Sequence, residues 1–147
     1  IRQDDYLLVD GYNIIFAWDE LKAIAAEDVN AARERLVNIM SNYQGVRRCH
    51  LILVFDAYKV KGGTGSVEKR HGIHIVYTRE AETADMYIEQ ASYDLSRRHR
   101  VRVATSDGME QMIILGHGAE RMSATELKWE VEQADEHLHG IIQNLQP

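Results

Sequence analysis

The folds open to this chain are limited by a set of acidic residues placed where apolar runs stop. Leu7-Leu8-Val9 ends on Asp10, Leu53-Val54-Phe55 ends on Asp56, and Ala104-Thr105-Ser106 ends on Asp107. A fourth acid, Asp85, closes Glu82-Thr83-Ala84 shortly after the run Ile73 to Tyr77. Short, uninterrupted apolar runs are expected of strands buried on both faces, as in a mostly parallel sheet covered by helices. In such a sheet, ligands bind just beyond the carboxyl ends of the strands. Carboxylates gathered at that rim repel one another unless a cation neutralises them. Oxygen donors of this kind suit Mg2+ or Mn2+, and a metal that activates water and steadies a leaving oxygen suits a phosphate ester. The pattern points to a metal-dependent phosphodiesterase, and first of all to a nuclease.

Periodicity supplies the rest of the frame. Tyr6–Val9, Leu51–Phe55, Ile73–Tyr77, Val101–Ala104 and Glu120–Met122 read as five strands. A helix is expected from an Asp28 cap to Tyr43, with Val29, Ala32, Leu36, Ile39 and Met40 on one face and Gly45 as its stop. A second should run from Glu82 or Thr83 to Arg98, with Met86, Ile88, Ala91 and Leu95 inward and arginines in its last turn. A short helix is expected from Asp107 to Leu115. Ser123-Ala124-Thr125-Glu126 is a capping box opening a last helix, which Gly140 should end. Asp10-Gly11 reads as a turn, residues 13–27 as partly helical, and Ala57–Gly72 as a glycine-rich surface loop. The sum is one α/β domain over residues 1–147, a three-layer fold with right-handed crossovers.

Composition removes other classes. No apolar run is long enough to span a bilayer, and no signal-peptide layout is present. Cys49 stands alone, so no internal disulfide forms, and a cytoplasmic location is expected. The seven histidines form no zinc pattern with it. Lys61-Gly62-Gly63-Thr64-Gly65-Ser66 lacks the spacing of a nucleotide-binding phosphate loop, and no small organic cofactor is indicated. The net charge of −6 argues mildly against a nucleic-acid partner, but charge is uneven. Lys59, Lys61, Lys69 and Arg70 face only Glu68 between residues 57 and 72. Arg97, Arg98, Arg100 and Arg102 surround His99.

Candidate roles follow. Asp10 and Asp107 would hold Mg2+ or Mn2+ across the crevice where the strand order reverses, with Asp85 and Asp56 completing the site. Glu82 and Asp85, three residues apart, share one helical turn, so one can ligate while the other caps. Asn13 and Ser106 would contact phosphate. Tyr58 would stack on a base, with Lys59, Lys61, Lys69 and Arg70 gripping an RNA backbone. Each residue also has a plainer reading. Strand-end aspartates make turns and cap helices; Asn13, Thr105 and Ser106 can be caps; the glycine-rich loop can be a flexible hairpin; the second basic group can be ordinary surface charge.

Taken together, the motifs resemble a known family. Asp10-Gly11-Tyr12-Asn13, Phe55-Asp56-Ala57-Tyr58, Lys61-Gly62-Gly63-Thr64-Gly65-Ser66 and Tyr77 through Asp85 are similar, in order, to the YacP-like branch of the NYN-domain nucleases. So are Ala104-Thr105-Ser106-Asp107 with Glu110-Gln111, and Leu115-Gly116-His117-Gly118-Ala119. The resemblance implies a PIN-like, Rossmann-type sheet in the order 3-2-1-4-5 with helices on both faces. It implies a Mg2+- or Mn2+-dependent endoribonuclease acting on messenger RNA, with the ribosome as a partner. It also implies that Asp10, Glu82, Asp85 and Asp107 carry the acidic site, with Asp56 nearby and Asn13 matching the family's asparagine. Family members often continue past residue 147, so a basic tail is expected beyond it. Gly108 departs from the bulkier residue expected there.

Three other functions compete. A receiver-like phosphoacceptor domain shares the parallel sheet and strand-end aspartate, but Asp4 and Asp5 precede the first strand and Met122-Ser123 occupies the expected lysine position. A non-catalytic RNA- or ribosome-binding module would have no need of the full acid set. A dehalogenase-type phosphatase needs a second aspartate where Tyr12 stands.

Overall fold

The computed structural model describes residues 5–56, 64–108 and 118–145. The first apolar run forms β1, Asp5–Asp10, and divides between two cores: Leu7 and Val9 face one, Leu8 the other. Burial on both faces is why the run shows no polar alternation. β2 (His50–Phe55), β3 (Thr64–Arg70), β4 (Ile73–Arg79), β5 (Arg100–Ala104) and β6 (Glu120–Met122) complete a six-stranded sheet in the order β3-β4-β2-β1-β5-β6. The five strands marked by the sequence are mutually parallel and in the expected order. Their register aligns Asp10 with Val54 and Val9 with Ala104, so the strand ends form one rim.

The sixth strand corrects the expected loop. Part of the stretch read as irregular is β3, antiparallel to β4 at the sheet edge. His71 and Gly72 join the two with φ of 53° and 84°. Successive positive φ values give the turn the right-handed twist that a tight hairpin needs.

Among the described residues five helices cover the sheet: α1 (Gly11–Ala17), α2 (Asp19–Glu27), α3 (Val29–Arg47), α4 (Ala84–Ser96) and α5 (Ala124–Leu145). α4 packs on the core containing Leu8, Val54 and Val103, and the other four lie over the opposite core. Asp28 caps α3 by accepting from the Asn30 and Ala31 amides, and Thr83 caps α4 by accepting from the Met86 amide. Gly45 and Gly140 do not stop their helices. α3 runs on to a left-handed Arg48, and α5 runs through Gly140. An interior glycine costs a helix only about 1 kcal/mol. Ile88 is buried and Ala91 and Leu95 are partly buried as expected, but Met86 points outward, Ala84 and Ser92 are also buried, and Arg97 follows α4 rather than ending it. The expected helix after Asp107 falls mostly on residues 109–117, outside the described residues.

Asp10-Gly11 is not a loop turn. Asp10 is both the last residue of β1 and the N-cap of α1, so strand passes to helix with nothing between. A Cβ on Gly11 would meet Phe55 Cε1 at 2.3 Å. The missing side chain is what lets α1 lie against the end of β2.

Candidate active site

The strand order reverses between β1 and β5, and the rim there opens into a cleft of about 340 Å³. Its lining comprises Asp10, Asp56, Asp85, Asn13, Ser106, Tyr12, Phe16 and Ala17. Asp10 is only 5% exposed, and its Oδ1 accepts from the Asn13 amide at 3.4 Å. Asn13 Oδ1 in turn accepts from both the amide and the hydroxyl of Ser106. Buried Thr105 shapes the turn that carries Ser106. Its amide donates to the Met122 carbonyl at 3.0 Å, and its Oγ1 accepts from the Asp107 amide at 3.1 Å.

Asp56 leaves the end of β2 and accepts from the Ala84 amide at 2.9 Å, docking the first turn of α4 against the rim. That turn carries Asp85 into the cleft. Burial pushes the Asp56 carboxyl above its usual range, the Ala84 amide offsets part of the rise, and the charge of Asp85 adds to it. Carboxyl repulsion across the cleft is the electrostatic situation a cation relieves.

The structure does not bring every candidate here. Glu82 lines a neighbouring pocket with Arg79, Tyr87 and Ser66. Asp107 is half-buried one residue beyond Ser106 and is not part of the cleft lining. Lys69 and Arg70 pair with His74 and Ile73, the amino end of β4, because β3 runs antiparallel and carries them away from the rim. Arg70 is also engaged with Glu34 at 3.1 Å. Tyr58, Lys59 and Lys61 lie outside the described residues. In the second basic group, Arg100 is bound to Glu120 at 3.0 Å and Arg102 to Glu130 at 3.3 Å. Phe16 and Tyr12 are cleft residues that sequence reasoning missed. For Phe16 the signal was spacing, since Asp10, Asn13 and Phe16 recur every third position.

The donor chemistry suits a hard divalent ion: three carboxylates, one nearly buried, around one opening. Among the described residues no three of His, Cys, Asp and Glu already form a ligand group.

Comparison with known proteins decides the family. A sequence model of the YacP-like NYN domain matches residues 7–146. The chain belongs to the YacP-like NYN domain family. NYN domains are generally nucleases, and PIN-like nucleases generally depend on divalent metal. The NYN domain described here is 41% identical to the Bacillus subtilis (strain 168) protein YacP over 145 residues, which is 96% of this chain and 83% of that protein. The crystal structure of Rae1 (YacP) from Bacillus subtilis superposes with a TM-score of 0.82 at 40% identity, covering 96% of this chain and 81% of that one. A point variant of the same protein gives a TM-score of 0.83 at 38% identity, covering 96% and 83%. The PIN-like fold of this NYN domain is therefore shared with a solved relative. No helix among its described residues is long and apolar enough to cross a membrane.

Proposed function

We propose that this NYN domain is a divalent-metal-dependent endoribonuclease, a single catalytic domain that cuts messenger RNA in the cytoplasm in association with the ribosome. The observation that carries this reading is the meeting of Asp10, Asp56 and Asp85 with Asn13 and Ser106 in one cleft at the strand-order switch point. Asp10, Asp56 and Asp85 would hold Mg2+ or Mn2+, with Asp107 joining from the adjacent turn. The ion supplies an activated water and charge stabilisation at the leaving oxygen. Asn13 spends its side-chain oxygen on Ser106, which leaves its NH2 group to offer a phosphate oxygen. The amino end of α4, next to Asp56, favours an anion in the same place. Messenger RNA and the ribosome enter this reading through the family resemblance, not through the cleft.

The test is cleavage of RNA with Mn2+ or Mg2+ present or chelated, by the wild-type chain and by Asp10→Asn and Asp85→Asn. Each substitution should lower the rate by ~1,000-fold, the scale of several kcal/mol of metal-derived stabilisation, without loss of fold. Full activity in both variants at unchanged stability ends the proposal, and cleavage indifferent to chelator ends its metal component.

A further inference from the structure

The cleft has a property that its chemistry does not require. Its described lining holds three carboxylates and no lysine or arginine, so the charge of those residues repels a polyanion. It also holds Phe16, a ring that is 45% exposed. Scattered exposed apolar residues are ordinary, but this one sits among acids at the switch point. On the seven-residue α1, Gly11, Tyr12, Ile14 and Ile15 are buried. Asn13, Phe16 and Ala17 form the face left to the cleft, at the spacing of one helical side. With Asp10 as the cap, the wall offers a carboxylate, an amide and an aromatic ring at three-residue steps. The Cα of Phe16 therefore lies ~9 Å along the helix axis from that of Asp10.

The helix that presents this ring is well anchored. The Trp18 indole N–H donates to the Ala124 carbonyl at 2.9 Å, and Arg33 donates to the Tyr12 hydroxyl at 2.8 Å. Ile14 and Ile15 are fully buried beneath it. The backbone of the wall is thus anchored, and its ring is left exposed.

We infer that Phe16 is a stacking platform for an unpaired nucleobase beside the scissile phosphate, a positioning residue for the strand this cleft takes. The inference rests on the endoribonuclease reading and extends it. A base inside a duplex is already stacked on its neighbours, whereas a splayed base can lie on a protein ring. Stacking tolerates every base, because each has a π-face, and it works without positive charge. It gives an acidic cleft an attraction for nucleic acid that its carboxylates do not.

The experiment measures binding rather than cleavage. The chain carrying Asp10→Asn is titrated, with chelator present, against a short labelled single-stranded oligoribonucleotide and against its duplex. Adding Phe16→Ala should weaken single-strand binding by about 5- to 100-fold, the range base–aromatic stacking supplies, and leave duplex binding unchanged. Phe16→Trp should restore it. The loss should be the same at every salt concentration, because no phosphate contact is removed. Single-strand affinity that Phe16→Ala leaves within twofold, a loss that Trp fails to restore, or an equal loss on duplex overturns the inference. An inactive wild-type enzyme would defeat the nuclease proposal alone, because this readout does not depend on turnover.

Discussion

The side-chain oxygen of Asn13 accepts from both the backbone amide and the hydroxyl of Ser106, residues 93 positions apart. This contact ties the first helix to the turn after β5 and closes one side of the cleft. Asn13→Ala removes both bonds and leaves the Ser106 amide without this acceptor. It should cost about 1–2 kcal/mol of stability and lower RNA cleavage at least about tenfold, since misplaced reacting groups lose rate steeply. Ser106→Ala should be milder on both counts, because the backbone amide still donates. Urea unfolding and initial cleavage rates check this, and equal losses in the two variants would assign the contact to the hydroxyl alone.

Metal binding should be visible without substrate. An ion that binds only the folded state stabilises it by about 2.7 kcal/mol at a hundred times its dissociation constant. Thermal scans with Mn2+ should therefore show a rise in Tm of several degrees, abolished by chelator and largely lost in Asp10→Asn. A wild-type Tm unmoved by saturating Mn2+ would count against the three-carboxylate site.

Asp56 should make stability depend on pH in a defined direction. Burial and the neighbouring charge of Asp85 raise its folded-state pKa above the usual carboxylate value. The folded state then holds the proton more tightly than the unfolded one. Its stabilising contribution is complete below the ordinary carboxylate range and is lost as pH rises through the raised value. Asp56→Asn keeps an acceptor for the Ala84 amide and removes the charge. Without metal, this variant should be more stable than wild type at neutral pH, with the difference closing in acid. Urea midpoints across that range decide the point, and a gap that widens on acidification contradicts it.

Gly11 should resist substitution. A Cβ there would stand 2.3 Å from one atom of the Phe55 ring and 2.5 Å from the next. Gly11→Ala is expected to cost about 1–3 kcal/mol, the usual penalty of overpacking. Phe55→Leu in the same chain should recover part of the loss, and a double-mutant cycle by chemical denaturation measures the coupling. Additive effects would show that the ring is not what excludes a side chain.

Much of the architecture was legible along the chain, because runs, caps and acids at strand ends are properties of neighbouring residues. β1 and β2 carry uninterrupted apolar runs, β4 and β5 carry apolar runs broken only by His74 and Arg102, and Asp28 and Thr83 cap helices as their side chains dictate. β3 was hidden because Ser66 through Lys69 are exposed on an edge strand, so its pairing with β4 rather than its composition makes it a strand. The arginines around His99 read as one basic group, yet Arg100 and Arg102 are held by Glu120 and Glu130 from later in the chain.

The sequence by itself determined that acids would stand at the carboxyl ends of parallel strands, since short apolar runs mark strands buried on both faces and these runs stop at acids. Which acids meet was decided by the tertiary structure. Asp10, Asp56 and Asp85 converge because the strand order reverses beside β1 and because the Asp56–Ala84 and Asn13–Ser106 hydrogen bonds dock distant segments at one rim. Glu82 points into the next pocket, and Phe16 is left bare in the cleft, because side-chain direction depends on how each helix settles against the sheet, and no spacing of residues encodes that alone.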